Sequence, residues 1–573
     1  MWITLPPGPA ECGSVRGSGI AAVSTVPGVA RTVQSPRRGT AAERPPCLVR
    51  GLPLGTRVLL SSGMVKAVTA DVMIVGNGAL GLSVAVETAL RDPALRIAVV
   101  GPEPRPGSAS VAAGAMLNCF AEVTERTGDH PASRAKFALA REAARLWPDW
   151  PARLAEAARH AAMPVGRARG TLVVLGARSA GDGVGGMRAI RAATEEHGEP
   201  CEDVDPYGIG FLEAAAGDQP VDALYLENEG AVDARRVLAA LDAAASGLGV
   251  TRVADEVTSL VTSSAEDAVT GVRLASGTTL AAGAVVLAAG AATGRLIERL
   301  PPGMVQPMLN GTGVALETER VLGEAVPYVV RTPTLVGGCG LHAVPLGEKA
   351  EYLGATNHVL LDAPAGPRLG IVQALLAGCV AQFDRNIAFS AVRHWHYGLR
   401  PVTLDTFPLL GRAPMRGLLF ATGTYRDGFH SAPAIARHLA GLLTEDAPAE
   451  SDPYAVFAPG REPIQTMTVD DAAERFAEMA LLVATERGMK LPYFLDTEPI
   501  AAAGRRLARE CVERLGVPVA LAPEVLGAVS EAGADGVRRV AGYLSASSSG
   551  APASRADGAG RKGVLPAGRA HGG

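Results

Sequence analysis

Aromatic residues make up only 4% of the 573-residue chain, and its seven cysteines include no CxxC pair. Scattered cysteines, odd in number, argue against a disulfide framework and against a zinc site, so no metal is expected and a reducing, cytoplasmic setting is favoured. No apolar run approaches the roughly 20 residues needed to span a bilayer. Formal net charge is -4 with acidic and basic residues intermixed, which offers no patch to nucleic acid or to an anionic membrane surface. The opening "MWITLPPGPAE" lacks the basic start and apolar stretch of an export signal.

What is present points to a largely globular chain. Hydrophobic residues make up 48% of the chain, which is long enough for two or three domains with a sizeable core. Residues 1–69 are rich in Pro, Gly, Ser and Arg; they are expected to be disordered or a mis-assigned extension, with translation starting at Met64. From Asp71 the pattern changes to an apolar strand, a glycine turn and a helix, "DVMIVGNGALGLSVAVETALRDPA", followed by a second strand, "RIAVVG". This is a βαβ unit of about 30 residues, the setting that a dinucleotide fingerprint requires. In it Gly76 allows the tight turn, Gly78 lets backbone approach a pyrophosphate, and Gly81 lets helix pack close on strand. Positive potential at the helix amino end would favour the phosphates.

A carboxylate usually closes the second strand to hold the ribose, but Gly101 stands there. Glu103 is the substitute candidate, with backbone and Ser108 as another; a solvated loop acid is the competing reading of Glu103. "GSASVAAGAMLN" is packed with small residues, as where backbone lies flat on a planar ligand, or as in a tight turn between core elements. "ENEGAVDARRVLAAL" leads into a helix with Asp233 placed as its N-cap. "GAVVLAAGAATGRL" and "GLLFATG" read as further buried strands ending in glycine loops, and a helix is expected to begin near Ala432–Pro433. Residues 123–219 read as mostly helical, and 303–397 hold strands such as "GTGVALET", "YVVRTPT" and "AEYLGATNHV". Beyond Pro463, apolar residues recurring at three and four predict more helices, before a disordered tail.

Together with "GLRPVTLDTFPLLG" and "ATGTYRDGFHSAPAIARHLAGLL", these segments resemble the FAD-dependent D-amino-acid-oxidase superfamily, and within it the glycine oxidase type of bacterial thiamine synthesis. The resemblance covers roughly 71–460 in the expected order. It implies an α/β chain with a discontinuous Rossmann-like FAD domain (70–122, 220–302 and 398–462). An α+β substrate domain of mixed sheet and helices would come from 123–219 and 303–397, followed by extra C-terminal helices over 463–544 and a tail, 545–573. It implies FAD held by Gly76, Gly78, Ala79, Leu80, Gly81, Glu103, Ser108, Ser110, Ala113, Gly114, Met116, Val257, Gly290, Gly423, Asp427, Gly428, Phe429 and His430.

The implied reaction is hydride transfer from the α carbon of a small carboxylate-bearing amine or amino acid to flavin N5, giving an imine. With O₂ as acceptor it gives H₂O₂. Arg400 stands where the family clamps the carboxylate, which a guanidinium fork suits; capping a strand or pairing with Asp405 is the competing reading. Arg426 matches the glycine oxidase pattern near the flavin or the pocket, against a loop-stabilising role. His342 replaces the pocket tyrosine of that type, as a substrate contact or as a packed loop histidine. In "HWHYGLRP", His394 and His396 share one face of a strand with Tyr397 opposite. The alternative function is a flavin dehydrogenase, or a secondary-metabolism tailoring oxidase, with a larger substrate and another electron acceptor. A catalytically idle flavin-binding protein is a third. A homo-oligomer is compatible with all of these.

Overall fold

The computed structural model describes residues 69–159, 164–444, 452–486 and 496–548, all within the unit Leu60–Gly573. Expectations for 1–68, Met64 included, and for 549–573 lie outside the described residues.

The first element is the strand Thr69–Val75, turning at Gly76 into the helix Ala79–Arg91 and then the strand Ile97–Val100. Met73, Ile74 and Val99 are almost wholly buried, as expected for a parallel strand covered on both faces, where side chains need not alternate. Parallel pairing runs in the order Leu418–Thr422, Thr279–Leu287, Thr69–Val75, Ile97–Val100 and Thr251–Val253. Leu409–Arg412 adds an antiparallel edge, and the hairpin Val257–Thr262 and Val269–Leu274 pairs antiparallel beside Thr279–Leu287. All five parallel strands end on one edge. The glycine-rich turns after Val75, Val100, Leu287 and Thr422 therefore converge where open α/β sheets bind ligands.

A second, nine-stranded sheet is mixed. Leu309–Glu319 pairs antiparallel with Ala391–Val402 along most of its length, and with Ala350–Gly354 and His358–Leu360. The sheet continues through His342–Pro345, Val329–Arg331, Arg167–Gly176 and Pro220–Val232.

Three elements depart from the sequence reading. Arg167–Gly176 is a strand inside a stretch read as mostly helical, because a short apolar run such as "TLVVLG" carries no period that separates strand from buried helix. Its partner Pro220–Val232 consequently belongs to the second sheet, although the expected division at 219/220 assigned it to the dinucleotide-binding part. Likewise Ala391–Val402 runs unbroken through the expected division at 397/398, carrying Arg400 on the second sheet.

At the C-terminal end lie four helices, Val469–Glu486, Glu498–Leu515, Pro523–Glu531 and Ala534–Ser548. The last runs past the expected end at 544. They bury Phe476, Cys511, Val525, Val540 and Leu544 against Leu309, Val402, Leu404 and Tyr425 of the main body. No helix among the described residues is long and apolar enough to cross a membrane.

Candidate active site

One cavity of about 1080 Å³ runs from the carboxyl ends of the parallel strands to the second sheet. At its first end the wall is main chain. Gly76 has φ +120°, and a Cβ there would stand 2.2 Å from the Ala288 carbonyl oxygen. Gly81 does not line the cavity; a Cβ on it would meet the Gly76 carbonyl oxygen at 1.9 Å, so its absence lets the helix lie against the turn. Gly78 caps the helix with no side chain, leaving Ser110 Oγ to accept from the Ala79 N–H at 3.0 Å. The amino end of the helix is thus bared toward the cavity, alongside Gly76, Ala79 and Leu80. Such an end attracts phosphate. Ser108, Ser110, Ala113, Gly114 and Met116 line the next stretch, and Val257 and Gly290 the side nearest the strand ends. Ala109 and Ala112 press on Gly398, where a Cβ would stand 3.0 Å from the Ala109 Cα, so the run of small residues also serves close packing.

Glu103 stands outside this lining, its carboxylate paired with Arg252. The residues at that place are instead Asn77 and Arg105, which the sequence reading missed. Arg105 Nε donates to the Asn77 carbonyl at 2.8 Å and its Nη2 to Asp242 at 2.6 Å, while Asn77 Nδ2 donates to the Pro102 carbonyl at 3.0 Å. A Cβ at Gly101 would meet Asn77 Cγ at 2.5 Å. The glycine in place of a carboxylate is therefore required by the asparagine lying over it. Gly423 also stands outside, in a turn at φ +71° packed on Thr403.

At the other end the wall is side chains. Arg400 Nη1 donates to the carbonyls of Thr356 at 2.9 Å and Thr312 at 3.2 Å. Its guanidinium lies over Gly313, where a Cβ would stand 2.7 Å from both Nη atoms. Asp405 is no partner: Arg461, Gln306 and Thr403 occupy its carboxylate. Arg426 donates to the Gly338 carbonyl and lies 5.3 Å from the Tyr425 ring centroid. Burial works against its charge, but Glu122 and other anionic or ionisable neighbours hold its pKa above the ordinary arginine value. Among the described residues neither Arg400 nor Arg426 makes a salt bridge.

Glu122 accepts from Arg331 Nη1 at 2.5 Å and from Thr334 Oγ1 at 3.1 Å. Burial opposes its charge, yet Arg331 and then Arg426 hold its pKa below the ordinary carboxylate value. His342 Nδ1 lies 3.3 Å from the Gly340 carbonyl, which can only accept, so Nδ1 carries the hydrogen and Nε2 is left as an acceptor. Burial, reinforced by Arg331, lowers its pKa to about 3. The imidazole is therefore neutral, stacked at 8° on Tyr352, whose hydroxyl donates to the Ala112 carbonyl at 2.6 Å.

Asp427, Gly428, Phe429 and His430 line the adjoining wall. Asp427 pairs with Lys136 at 2.8 Å and Phe429 stacks on Trp147. His430 Nε2 donates to the Ala140 carbonyl, leaving its buried Nδ1 without a partner. Asn118 also lines the cavity. Its Nδ2 donates to Glu229 at 2.6 Å and Thr171 at 3.1 Å, and its buried Oδ1 is unpartnered. Glu229 further accepts from the Cys119 and Phe120 N–H groups, while burial pushes its pKa up to about 7. His396, expected on one face with His394, is buried and bonded to Glu317, with His394 exposed beside it.

A glycine turn and helix end over a parallel sheet, sharing one cavity with Arg400 on a mixed sheet and with Arg426 in the loop after Leu418–Thr422, are the architecture of a dinucleotide-dependent oxidoreductase built on two sheets. The chain belongs to the FAD dependent oxidoreductase family, whose profile matches residues 71–442. Its cofactor is accordingly FAD, and the residues fit it: a Cβ at Gly76 would collide with the Ala288 carbonyl, and the glycine turn puts main chain and a helix amino end on the cavity wall, where a diphosphate can be held. The bifunctional protein ThiO/ThiG of Trichormus variabilis is 26% identical over 388 residues, 67% of this chain and 54% of that protein. The chain thus spans about half the length of that relative. A glycine oxidase of Pseudomonas aeruginosa is 30% identical over 177 residues, 30% of this chain and 44% of the other. The crystal structure of glycine oxidase from Geobacillus kaustophilus shares the fold at TM-score 0.58 and 24% identity, covering 69% of this chain and 99% of that one.

Proposed function

We propose that the protein oxidises the C–N bond of a small amine or amino acid bearing a carboxylate. The observation that carries this is the pair Arg400 and Arg426, two cavity guanidiniums with no salt bridge among the described residues. FAD supplies the hydride acceptor at N5, and O₂ the final oxidant, so the products are an imine and H₂O₂. The glycine turn, with Gly76, Gly78, Ala79 and Leu80, would hold the diphosphate. Ser108, Ser110, Ala113, Gly114, Met116, Val257, Gly290, Asp427, Gly428, Phe429 and His430 would hold the rest of FAD, which would supply the hydride acceptor. Arg400 clamps the substrate carboxylate, because a fork of parallel N–H donors matches two carboxylate oxygens. Arg426 adds positive charge beside it. Cationic surroundings lower the pKa of a bound amine, which favours the neutral form from which hydride can leave. His342, neutral with Nε2 free, accepts from the amino group. The relatives named glycine oxidase support this reading.

Anaerobic mixing of the flavin-loaded protein with glycine, sarcosine, D-alanine or D-proline tests it. Bleaching of the flavin band with at least one, followed by peroxide on admitting air, is expected. Bleaching by none would overturn the reading, and bleaching with very slow reoxidation would make the protein a dehydrogenase.

A further inference from the structure

The helix Ala534–Ser548 lies beyond residue 442, where the family profile stops, yet it forms part of the cavity wall. Arg538, Arg539, Gly542 and Tyr543 line the cavity, and their spacing of three and four places them along one helix face. The helix is firmly seated. Val537, Val540 and Leu544 are buried in the apolar cluster beneath it, and the Tyr543 hydroxyl donates to the Arg461 carbonyl. Arg539 donates to Asp362 at 2.8 Å and to the Leu361 carbonyl at 3.3 Å. That carbonyl also accepts from Asn310 Nδ2, on the strand that seats Arg400. The helix therefore meets the cavity at Leu361 and Asn310, three positions along the strand from the Gly313 that Arg400 overlies, and its last turn packs on Gly303, where a Cβ would stand 3.0 Å from Ala546.

Gly542 is the informative residue. A glycine inside a helix is less stable than alanine by about 1 kcal/mol, and such a residue usually has a packing reason. Gly504 has one, since a Cβ there would press on Ala477 at 3.0 Å, and Gly536 would approach Leu361 at 3.2 Å. At Gly542 a Cβ would meet nothing within 4 Å, its φ is not left-handed, and it is an exposed residue that lines the cavity, which places it where the cavity meets solvent. Gly527 is equally open but does not line the cavity.

We propose that helix Ala534–Ser548 walls the passage by which the amine reaches Arg400, and that Gly542 sets the size of substituent the passage admits. Arg538, Arg539 and Tyr543 form the polar side of this passage, which suits amino acids and N-substituted amines larger than glycine. The proposal rests on the amine-oxidising reading above.

Gly542→Leu and Gly542→Ala test it in the flavin-loaded full chain, since both residues favour a helix. Double-mixing stopped flow with glycine and with D-proline separates flavin reduction from reoxidation. Reduction by D-proline is expected to slow about 10-fold or more in Gly542→Leu, less in Gly542→Ala, and less with glycine than with D-proline in both. Reoxidation and flavin content are expected to stay unchanged. Equal slowing for both amines, or none, overturns the proposal. So does slowing confined to reoxidation, which would give the passage to the oxidant, or loss of FAD, which would give the wall to the cofactor. If the unsubstituted protein is reduced by no amine, it is the functional reading that fails, and the proposal goes with it.

Discussion

Around Gly76 and Gly78 the cavity wall is main chain from one short segment, whereas around Arg400, Arg426 and His342 it is side chains arriving from separate strands and loops. The first end works by what is missing: no Cβ at Gly76, Gly78 or Gly81, and no cap from the helix's own N-cap residue, so that only the Ala79 N–H is taken, by Ser110 Oγ. The second works by what is held in place: a guanidinium laid over Gly313, a carboxylate between charges, an imidazole flat on Tyr352. A main-chain site should fail all at once when a single methyl is added. A side-chain site should fail by degrees, one contact at a time.

The largest effect is expected from Gly81→Val. Its Cβ would stand 1.9 Å from a backbone oxygen of the turn, which has no flexible end to move aside. Overpacking of this kind costs about 1–3 kcal/mol or more, and the displaced helix end would lose its aim at the diphosphate. Purified Gly81→Val should contain little flavin by absorbance while keeping its helical circular dichroism. A fully yellow protein would erase the contrast between the two ends.

Arg400→Ala should do the reverse, keeping the flavin while weakening substrate capture. Charge-assisted hydrogen bonds contribute about 1.5–3 kcal/mol, so kcat/KM with a carboxylate-bearing amine should fall about 10- to 100-fold. Arg400→Lys should recover part of it, because the charge survives and the fork does not. Loss of bound flavin in Arg400→Ala would mean that the two ends cannot be separated.

The same contrast decides what could be read from sequence. The glycine turn, the N-cap at Asp233 and the strand ending at Leu287 are local, so neighbouring residues announce them; Asp233 indeed accepts from the Arg235 N–H at 2.9 Å. Arg400 and Arg426 could be singled out by family resemblance, and both line the cavity. Glu122 with Arg331 could not, because the partners lie 209 positions apart. Nor could Asn118 with Glu229, 111 apart. The signal for Asn77 was available, since an amide side chain between two glycines must lie on whatever follows the second strand. The strand Arg167–Gly176 stayed hidden because its run of buried apolar residues has no period of its own.

A smaller effect concerns His342, whose neutrality distinguishes the side-chain end from a simple cationic patch. Its folded-state pKa is depressed from 6.5 to about 3, burial being the main cause. A depressed value means that the unfolded chain takes up the proton first. The stability it contributes is then present above pH 6.5 and is lost as pH falls from there toward 3. Urea midpoints measured across that range should decline less steeply in His342→Gln than in the unsubstituted protein. Identical slopes would show that the imidazole is not kept neutral by its site.

The smallest effect is expected at Glu103, where the two ends can be compared through a residue that sequence placed in the cavity and the structure places outside it. Its carboxylate pairs with Arg252 at a partly exposed position, and such surface pairs contribute about 0–1 kcal/mol. Arg252 also bonds Asp242 at 3.0 Å, so its charge stays compensated when Glu103 is removed. Glu103→Ala should therefore retain FAD with an unchanged dissociation constant, by titration of flavin into the apoprotein. Arg105→Ala, which removes the bond to the Asn77 carbonyl and the pair with Asp242, should weaken FAD several-fold in the same titration. A main-chain site still needs side chains to hold the main chain in place, and Arg105 does so from the second turn. If Glu103→Ala weakened FAD more than Arg105→Ala, the acid would reach the ribose after all, and this end of the cavity would be less purely main chain than its geometry indicates.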